Sequence, residues 1–395
     1  MKKHIKGNVF WVGKVDWELE TFHGEELTTH HGSTYNSYLI QEGKTVLIDT
    51  VWKPFASEFV NNLASEVDLK QIDYIIANHG EIDHSGALPE LMRLIPDTPI
   101  YCTANAVKSL KGMYHEDWNF HVVKTGDKLD IGNGKQLIFV EMPMLHWPDS
   151  MATYLTGDNI LFSNDAFGQH YATEMLYNDL VDQCDLFKEA MKYYANILAP
   201  FSAVLKRKLQ EISNLGLPID MIATSHGVIW RDNPLQIVEK YAQWADNYQE
   251  NQITIVYDTM WNGTRALAEN IARGIQLADP DVTVKLFNLP KSDQNDVITE
   301  VFKSKTVVVG SPTFNNGILH TMAGFAHLMK EMKFKNKKAA AFGCYGWSGE
   351  SVKILNELLQ GAGFELIDEG YRTQWYPDQD KQQGAIEFGK KIALA

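Results

Sequence analysis

The chain has 395 residues, 45% of them hydrophobic, and a formal net charge of -14 at pH 7. That length exceeds what one hydrophobic core organises, so two domains are expected, and the acidic balance excludes a nucleic-acid face or an anionic membrane surface as the target. Three scattered cysteines (Cys102, Cys184 and Cys344), no CxxC pair, no apolar signal core after Met1-Lys2-Lys3-His4 and no stretch near the roughly 20 apolar residues of a membrane span imply a soluble, cytoplasmic protein without a disulfide framework or a cysteine-rich metal site.

Residues 1–50 read as β-rich: Val9-Phe10-Trp11-Val12, Ser37-Tyr38-Leu39-Ile40 and Thr45-Val46-Leu47-Ile48 are short apolar runs broken by Gly32 and by the turn Glu42-Gly43-Lys44. From Lys53 to Val67, the residues Phe55, Phe59, Leu63 and Val67 recur at helical spacing. The run 72–77 predicts a buried strand that delivers the loop Asn78-His79-Gly80-Glu81-Ile82-Asp83-His84, with a helix over 87–94. Phe120–Val123, Lys128–Ile131 and Leu137–Val140 form a second β-rich block. A strand over 160–163 runs straight into Asn164-Asp165, and one over 219–224 into Ser225-His226-Gly227. Strands and helices thus repeat twice, which suggests two sheets packed face to face with helices outside. A helix opened by Asn233-Pro234 runs to about Tyr248, and the polar Gln249-Glu250-Asn251-Gln252 marks a boundary between a first domain, 1–250, and a second, 251–395. Strands at 253–257, 282–287, 306–310, 338–343 and 364–367 then alternate with helices, the rhythm of a doubly wound parallel sheet. The most basic segment, Lys330, Lys333, Lys335, Lys337 and Lys338, reads as a solvated turn at the amino end of a strand.

Four candidate metal ligands, His79, Glu81, Asp83 and His84, crowd the loop after strand 72–77. The carboxyl end of a strand is where α/β folds bind ligands. So short a loop cannot fill two metal shells, and His146, Asp165 and His226 complete the set. Asp165 and His226 each follow an apolar strand directly; His146 closes the second β-rich block. Three carboxylates beside four imidazoles are richer in oxygen than a typical zinc hydrolase site, and the two oxygens of Asp165 suit it to bridge two ions. The bland alternative is a chance polar cluster in a solvated loop, but chance does not account for the repetition at three strand ends.

In the second half, Asp258-Thr259-Met260-Trp261-Asn262-Gly263-Thr264 joins a strand to a helix. Hydroxyls and N–H groups at a helix N-terminus cradle phosphate, with Thr259 and Thr264 the natural donors, although a lone Thr/Gly turn is more often only a helix cap. Ser311-Pro312-Thr313-Phe314-Asn315-Asn316 and Cys344-Tyr345-Gly346-Trp347-Ser348-Gly349 follow two further strands of the same sheet. Their aromatic and small residues suit a flat isoalloxazine, and without a GxGxxG and a downstream acid FMN is favoured over a dinucleotide.

The loop 79–84 resembles the HxHxDH motif of the metallo-β-lactamase superfamily, with Glu81 where the second histidine usually stands. Taken with Tyr35-Asn36-Ser37-Tyr38-Leu39-Ile40, Leu145-His146-Trp147-Pro148-Asp149-Ser150, Asn164-Asp165-Ala166-Phe167-Gly168 and a loop similar to that of flavodoxins, the whole chain resembles the flavodiiron proteins, or A-type flavoproteins. In the flavodoxin-like loop Asn262 occupies the usual glycine position. The resemblance implies an N-terminal metallo-β-lactamase-like αββα sandwich followed by a C-terminal flavodoxin-like doubly wound parallel sheet. It implies that His79, Glu81, His146 and Asp165 bind one iron ion, and that Asp83, His226 and Asp165 bind another. His84 is a ligand in some members and displaced by water in others, and His23 and Tyr193 lie beside the irons. Electrons would pass from a reduced carrier, in this family a rubredoxin, through FMN to the two iron ions, where O2 is reduced to water or NO to N2O. A head-to-tail homodimer or a dimer of dimers is also implied, and the absence of a CxxC pair makes the donor a separate protein. Two other readings stay open: a two-metal zinc hydrolase, and a flavodoxin-like carrier with a non-catalytic first domain. Glu81 and the fused flavin half disfavour both.

Overall fold

In the computed structural model, which describes residues 2–395, the apolar runs of the first half pair into two sheets. The first has seven strands in the order Lys3–Lys6, Val9–Trp11, Tyr38–Gln41, Thr45–Ile48, Ile72–Ile76, Ile100–Cys102 and Phe120–Val122. Pairing is antiparallel as far as Thr45–Ile48 and parallel beyond it, where helices Ala56–Glu66, Leu88–Leu94 and Ala104–Tyr114 fill the crossovers. The second sheet has five strands, Lys128–Gly132, Lys135–Glu141, Met151–Leu155, Ile160–Asn164 and Met221–Thr224, with only the last pair parallel.

Tyr38, Ile40, Val46, Ile48 and Ile76 of the first sheet share one core with Leu137, Phe139, Leu155, Ile160 and Phe162 of the second, so the sheets stack face to face. Side chains alternate along a strand, and Leu39, Leu47 and Ile75 therefore point the other way, yet they too are fully buried. Cover on both faces is why these strands read as unbroken apolar runs. The expected αββα sandwich is what forms, with one reassignment. Phe120–Val122 does not join the second block; it pairs in parallel with Ile100–Cys102 at the edge of the first sheet. The crossover helix Ala104–Tyr114 returns the chain to the strand it left, and nothing in an exposed three-residue run announces which sheet it will extend.

Beyond residue 250 the strand order is Thr283–Asn288, Glu250–Tyr257, Ser304–Gly310, Lys338–Tyr345, then Glu365–Leu366 and Tyr371–Gln374, all parallel. This is the doubly wound sheet expected. The fifth strand, read as one run over 364–367, is instead split. Gly370, with φ +97°, donates its N–H to Asp368 Oδ1 at 2.8 Å, and this polar turn lifts the chain off the sheet before Tyr371–Gln374 rejoins it. Helices Gly263–Ala278 and Gln379–Leu394 lie against each other at backbone contact. A methyl group on Gly274 would collide with Ile386 O, and one on Gly389 with Ile271 O, so both glycines are required by the close approach.

Two compact units result: residues up to Tyr193 with Phe201–Ala242, and Tyr194–Pro200 with Gln243–Ala395. In the second, the basic segment departs from expectation at one position. Lys335 is exposed, but Lys337 is buried, and its Nζ donates to Phe302 O and Ser304 O at 2.7 Å each. It thereby satisfies carbonyls left over where helix Gln294–Lys303 ends. Burial pushes the Lys337 ammonium down to about 7. Lys337→Glu should destabilise the protein by about 3–5 kcal/mol, because it buries a negative charge against two carbonyl oxygens. Lys335→Glu should stay within about 0.5 kcal/mol of the parent. Urea unfolding of the two variants checks this, and equal midpoints would contradict it.

Candidate functional site

The loop after strand Ile72–Ile76 is held from both sheets. Asp49 accepts from the backbone N of Asn78 at 2.7 Å and from its Nδ2 at 3.0 Å. Across the sandwich, Thr153 Oγ1 donates to Asn78 Oδ1 at 2.7 Å and Met151 N to Asn78 O at 2.8 Å. Gly80 N donates to Asp149 Oδ2 at 3.0 Å; a Cβ at Gly80 would stand 2.7 Å from that oxygen, so only glycine permits the approach. One helical turn, Ile82–Ser85, then sets Asp83 and His84 side by side.

The seven predicted side chains come together in two groups that meet at Asp165. His79 Nε2 lies 3.2 Å from Glu81 Oε2 and 3.6 Å from Asp165 Oδ2, and His146 Nε2 lies 3.3 and 3.6 Å from the same two oxygens. His84 Nε2 lies 3.0 Å from Asp165 Oδ1 and 3.2 Å from Asp83 Oδ2, while His226 Nε2 lies 3.5 and 3.0 Å from them. Asp165 thus turns Oδ2 to one group and Oδ1 to the other. Within His79, Glu81, His146 and Asp165, and again within Asp83, His84 and His226, one donor atom per residue lies within 4.8 Å of the rest.

Most of these contacts have hydrogen-bond lengths, but several lack hydrogen-bond geometry. Both oxygens of Asp83, His84 Nε2 and Asp165 Oδ2 are buried without a hydrogen-bond partner, an arrangement that costs free energy unless something else sits between them. The far side of two rings fixes what that must be. His79 Nδ1 lies 3.0 Å from Asp149 Oδ1 and His226 Nδ1 lies 2.7 Å from Thr34 O. A carboxylate and a carbonyl only accept, so each Nδ1 donates outward and leaves Nε2 facing inward, where its lone pair would serve a bound ion. Inward lone pairs and carboxylates call for cations, and this donor set fits two divalent ions with mixed nitrogen and oxygen preference.

The electrostatics point the same way. Burial opposes charge on His79 and His84, but the acids outweigh it. Hydrogen bonds to Asp149 and Glu81 hold His79 well above the ordinary imidazole range, and Asp83 and Asp165 push His84 up to about 9. Burial likewise favours neutral acids, yet His146, His23 and His79 hold Glu81 below the carboxylate range, and His84 does the same for Asp165.

Of the two residues expected beside the ions, His23 has Nε2 3.2 Å from Glu81 Oε1 and its ring 5.8 Å from that of His146. Tyr193 is buried, with its ring 5.2 Å from His170 and 6.3 Å from His226. Three participants were missed by sequence reasoning: Asp149, the Thr34 carbonyl and His170. Asp149 stands in the quoted run His146-Trp147-Pro148-Asp149, where an acid three residues from a ligand was the available signal. A backbone carbonyl leaves none.

In the second unit, the parallel strands bring their following loops to one edge. Met260, Trp261, Gly263, Pro312, Thr313, Phe314, Asn315, Cys344, Tyr345, Gly346 and Trp347 line a cavity of about 400 Å³ there. Asn262 takes the left-handed conformation, φ 60°, and so fills the glycine position without leaving that backbone region. Thr259 Oγ1 is buried with no partner, as an open phosphate donor would be, while Thr264, buried at the start of helix Gly263–Ala278, has its Oγ1 3.3 Å from Cys344 Sγ. Ser311, Ser348 and Gly349 stand behind the lining: Ser311 Oγ accepts from Leu319 N at 3.2 Å, Ser348 Oγ donates to Asn315 O at 3.3 Å, and Gly349 packs on Tyr345. Trp375 and Tyr376 complete the cavity wall and were not anticipated, because they follow the half-strand that the sequence does not reveal.

Known proteins match both halves of the chain. A family model described as ODP family beta lactamase matches residues 34–227, and one described as Flavodoxin matches 255–389. The chain is 59% identical over 390 residues to proteins named anaerobic nitric oxide reductase flavorubredoxin from Escherichia coli and Shigella sonnei, covering 98% of this chain and 81% of each relative. Among solved structures, rubredoxin oxygen:oxidoreductase from Desulfovibrio gigas superposes with a TM-score of 0.96 at 34% identity, covering 100% of this chain and 98% of that one. The flavodiiron protein of Giardia intestinalis gives 0.95 at 32% identity, covering 100% and 96%.

The raised imidazoles set a pH dependence. Below about 9 the metal-free centre holds a proton on His84 that an ion must displace, so divalent metal binding at pH 7 should release protons and weaken as the pH falls. Titrating metal-free protein with ferrous ion, anaerobically and in weak buffer, reads this directly; binding without acidification would contradict it.

Proposed function

The chain belongs to the flavodiiron proteins, and on that premise we propose that His79, Glu81, His146 and Asp165 hold one iron ion and that Asp83, His84, His226 and Asp165 hold the second. The protein is an oxidoreductase with FMN and a non-haem diiron centre. Electrons from a redox-protein donor pass through the flavin, and the terminal reaction is reduction of NO or O2. The observation that carries the ligand assignment is the division of Asp165, with one oxygen turned to each group of donors.

Iron supplies the redox chemistry; the residues supply ligands, orientation and a largely buried pocket. Asp149 and Thr34 fix two ring orientations. His23 adds a hydrogen-bonding group at the Glu81 side, and Tyr193 adds a hydroxyl-bearing ring beside His226. In the flavin cavity, Thr259, Thr264 and the N–H groups of the helix start would hold the phosphate, while the aromatic loops would hold the ring.

For the physiological substrate we propose NO, supported by the 59% identity to nitric oxide reductases. For the donor we propose a rubredoxin, supported by the similarity to a flavorubredoxin and to rubredoxin oxygen:oxidoreductase. A head-to-tail homodimer, a cytoplasmic location and the domain limits 1–250 and 251–395 belong to the same proposal and rest on the family resemblance and the reading of the sequence. Turnover with NO and with O2, driven by one reduced rubredoxin, tests it. A higher kcat/KM for NO is expected, and a clear preference for O2 overturns the substrate assignment. His84→Asn should lower metal affinity at its site by about 10–100-fold, read by competition with a chelator. Unaltered iron content under competition would remove His84 from the ligand set.

A further inference from the structure

The phosphate end of the flavin site has a buried acid beside it. Asp258 follows strand Glu250–Tyr257 directly, is 6% exposed, and donates its backbone N–H to Gly310 O at 3.0 Å. A carboxylate next to an anion site is repulsive, and it has no donor to offer a phosphate. Its presence there calls for another task.

Both of its oxygens are engaged. Oδ1 accepts from Thr259 N at 2.6 Å, and Oδ2 accepts from Thr321 Oγ1. The first bond withdraws the Thr259 N–H from any ligand and fixes the backbone at that residue. A β-branched side chain on a fixed backbone has few χ1 states. What Thr259 retains for a ligand is its hydroxyl, and Oγ1 has no partner among the described residues. The second bond fixes the carboxyl itself. Thr321 is the second residue of helix His320–Glu331, which the loop 311–319 leads into. That loop is closed on itself, because Phe314 and Gly317 exchange backbone hydrogen bonds at 3.0 and 2.9 Å and Leu319 N donates to Ser311 Oγ. Thr321 is thus a firm anchor, and with Oδ2 held there the Asp258 carboxyl cannot rotate Oδ1 away from Thr259.

We propose that Asp258 is a positioning residue for the flavin phosphate: anchored by Thr321, it holds Thr259 so that the free hydroxyl meets the phosphate. The inference rests on the phosphate cradle of the function proposed above. The competing account is that Asp258 only supports the turn after the strand, in which case its loss weakens the whole flavin site without regard to the phosphate.

Riboflavin separates the two accounts, since it has the ring of FMN and lacks the phosphate. Full-length protein stripped of flavin is titrated with FMN and with riboflavin, followed by quenching of flavin fluorescence, with Thr259→Val as the reference for a lost phosphate contact. Asp258→Ala should weaken FMN binding about 10-fold and riboflavin binding less than about 3-fold. Asp258→Asn keeps an acceptor for Thr259 N and can donate to Thr321 Oγ1, so it should recover most of the FMN affinity. Thr321→Val should show a smaller loss with the same preference for FMN, and it carries the test should Asp258→Ala not fold. In the double variant Asp258→Ala/Thr259→Val the loss should fall short of the product of the two single losses, because both substitutions remove one contact.

Parent-like FMN affinity in Asp258→Ala or Thr321→Val overturns the proposal. So do equal losses for the two flavins, or single losses that multiply in the double variant. If Thr259→Val binds FMN as the parent does, the cradle reading fails and the proposal falls with it. If Thr259→Val loses FMN and Asp258→Ala does not, the cradle stands and only the role of Asp258 is refuted.

Discussion

Three carboxylates and four imidazoles are brought within a few ångströms of one another inside the first unit, most of them buried. Asp165 sits at the centre, with Oδ1 3.0 Å from His84 Nε2 and Oδ2 3.6 Å from the Nε2 atoms of His79 and His146. Such crowding is tolerable only if cations occupy the space between the donors, and it survives folding only if every ring is prevented from turning away. The sandwich exists in a form that meets that condition. The ligands come from loops at the strand ends of both sheets, and two of these loops are anchored by partners outside the cluster: Asp49 and Thr153 on Asn78, Asp149 on His79 and Gly80, and Thr34 on His226. Two sheets are needed because one sheet edge could not surround the site.

What the sequence disclosed follows from where the information is stored. His79, Glu81, Asp83 and His84 are local: an apolar strand, a short loop and ligand-type residues at close spacing are visible in one window. Asp165 and His226 were legible because each repeats that strand-then-ligand pattern. Asp149 was within sight of His146, but its role depends on a hydrogen bond across 70 positions to His79, which no local pattern encodes. His170 reads as an ordinary histidine until Tyr193 and His226 are packed around it. Sheet membership failed at Phe120–Val122 for the same reason, since an exposed three-residue strand has no preference of its own between two sheets. Lys337 misled because charge density along the chain says nothing about which lysine turns inward to meet the carbonyls of Phe302 and Ser304. In the flavodoxin-like unit the strand–helix rhythm carried nearly everything except the interruption at Asp368-Glu369-Gly370, and with that interruption went Trp375 and Tyr376.

That interruption has a further effect on how the protein behaves at high concentration. The last strand of a parallel sheet presents a row of unpaired N–H and C=O groups, a template on which a foreign strand can grow. Here the row is broken: Glu365–Leu366 supplies two residues, the turn at Gly370 turns the chain away, and Tyr371–Gln374 supplies four more. An incoming strand would find no register that it could follow over more than a few residues. The kink therefore protects this margin of the sheet against self-association, and a variant that straightened it into one continuous strand would trade solubility for regularity.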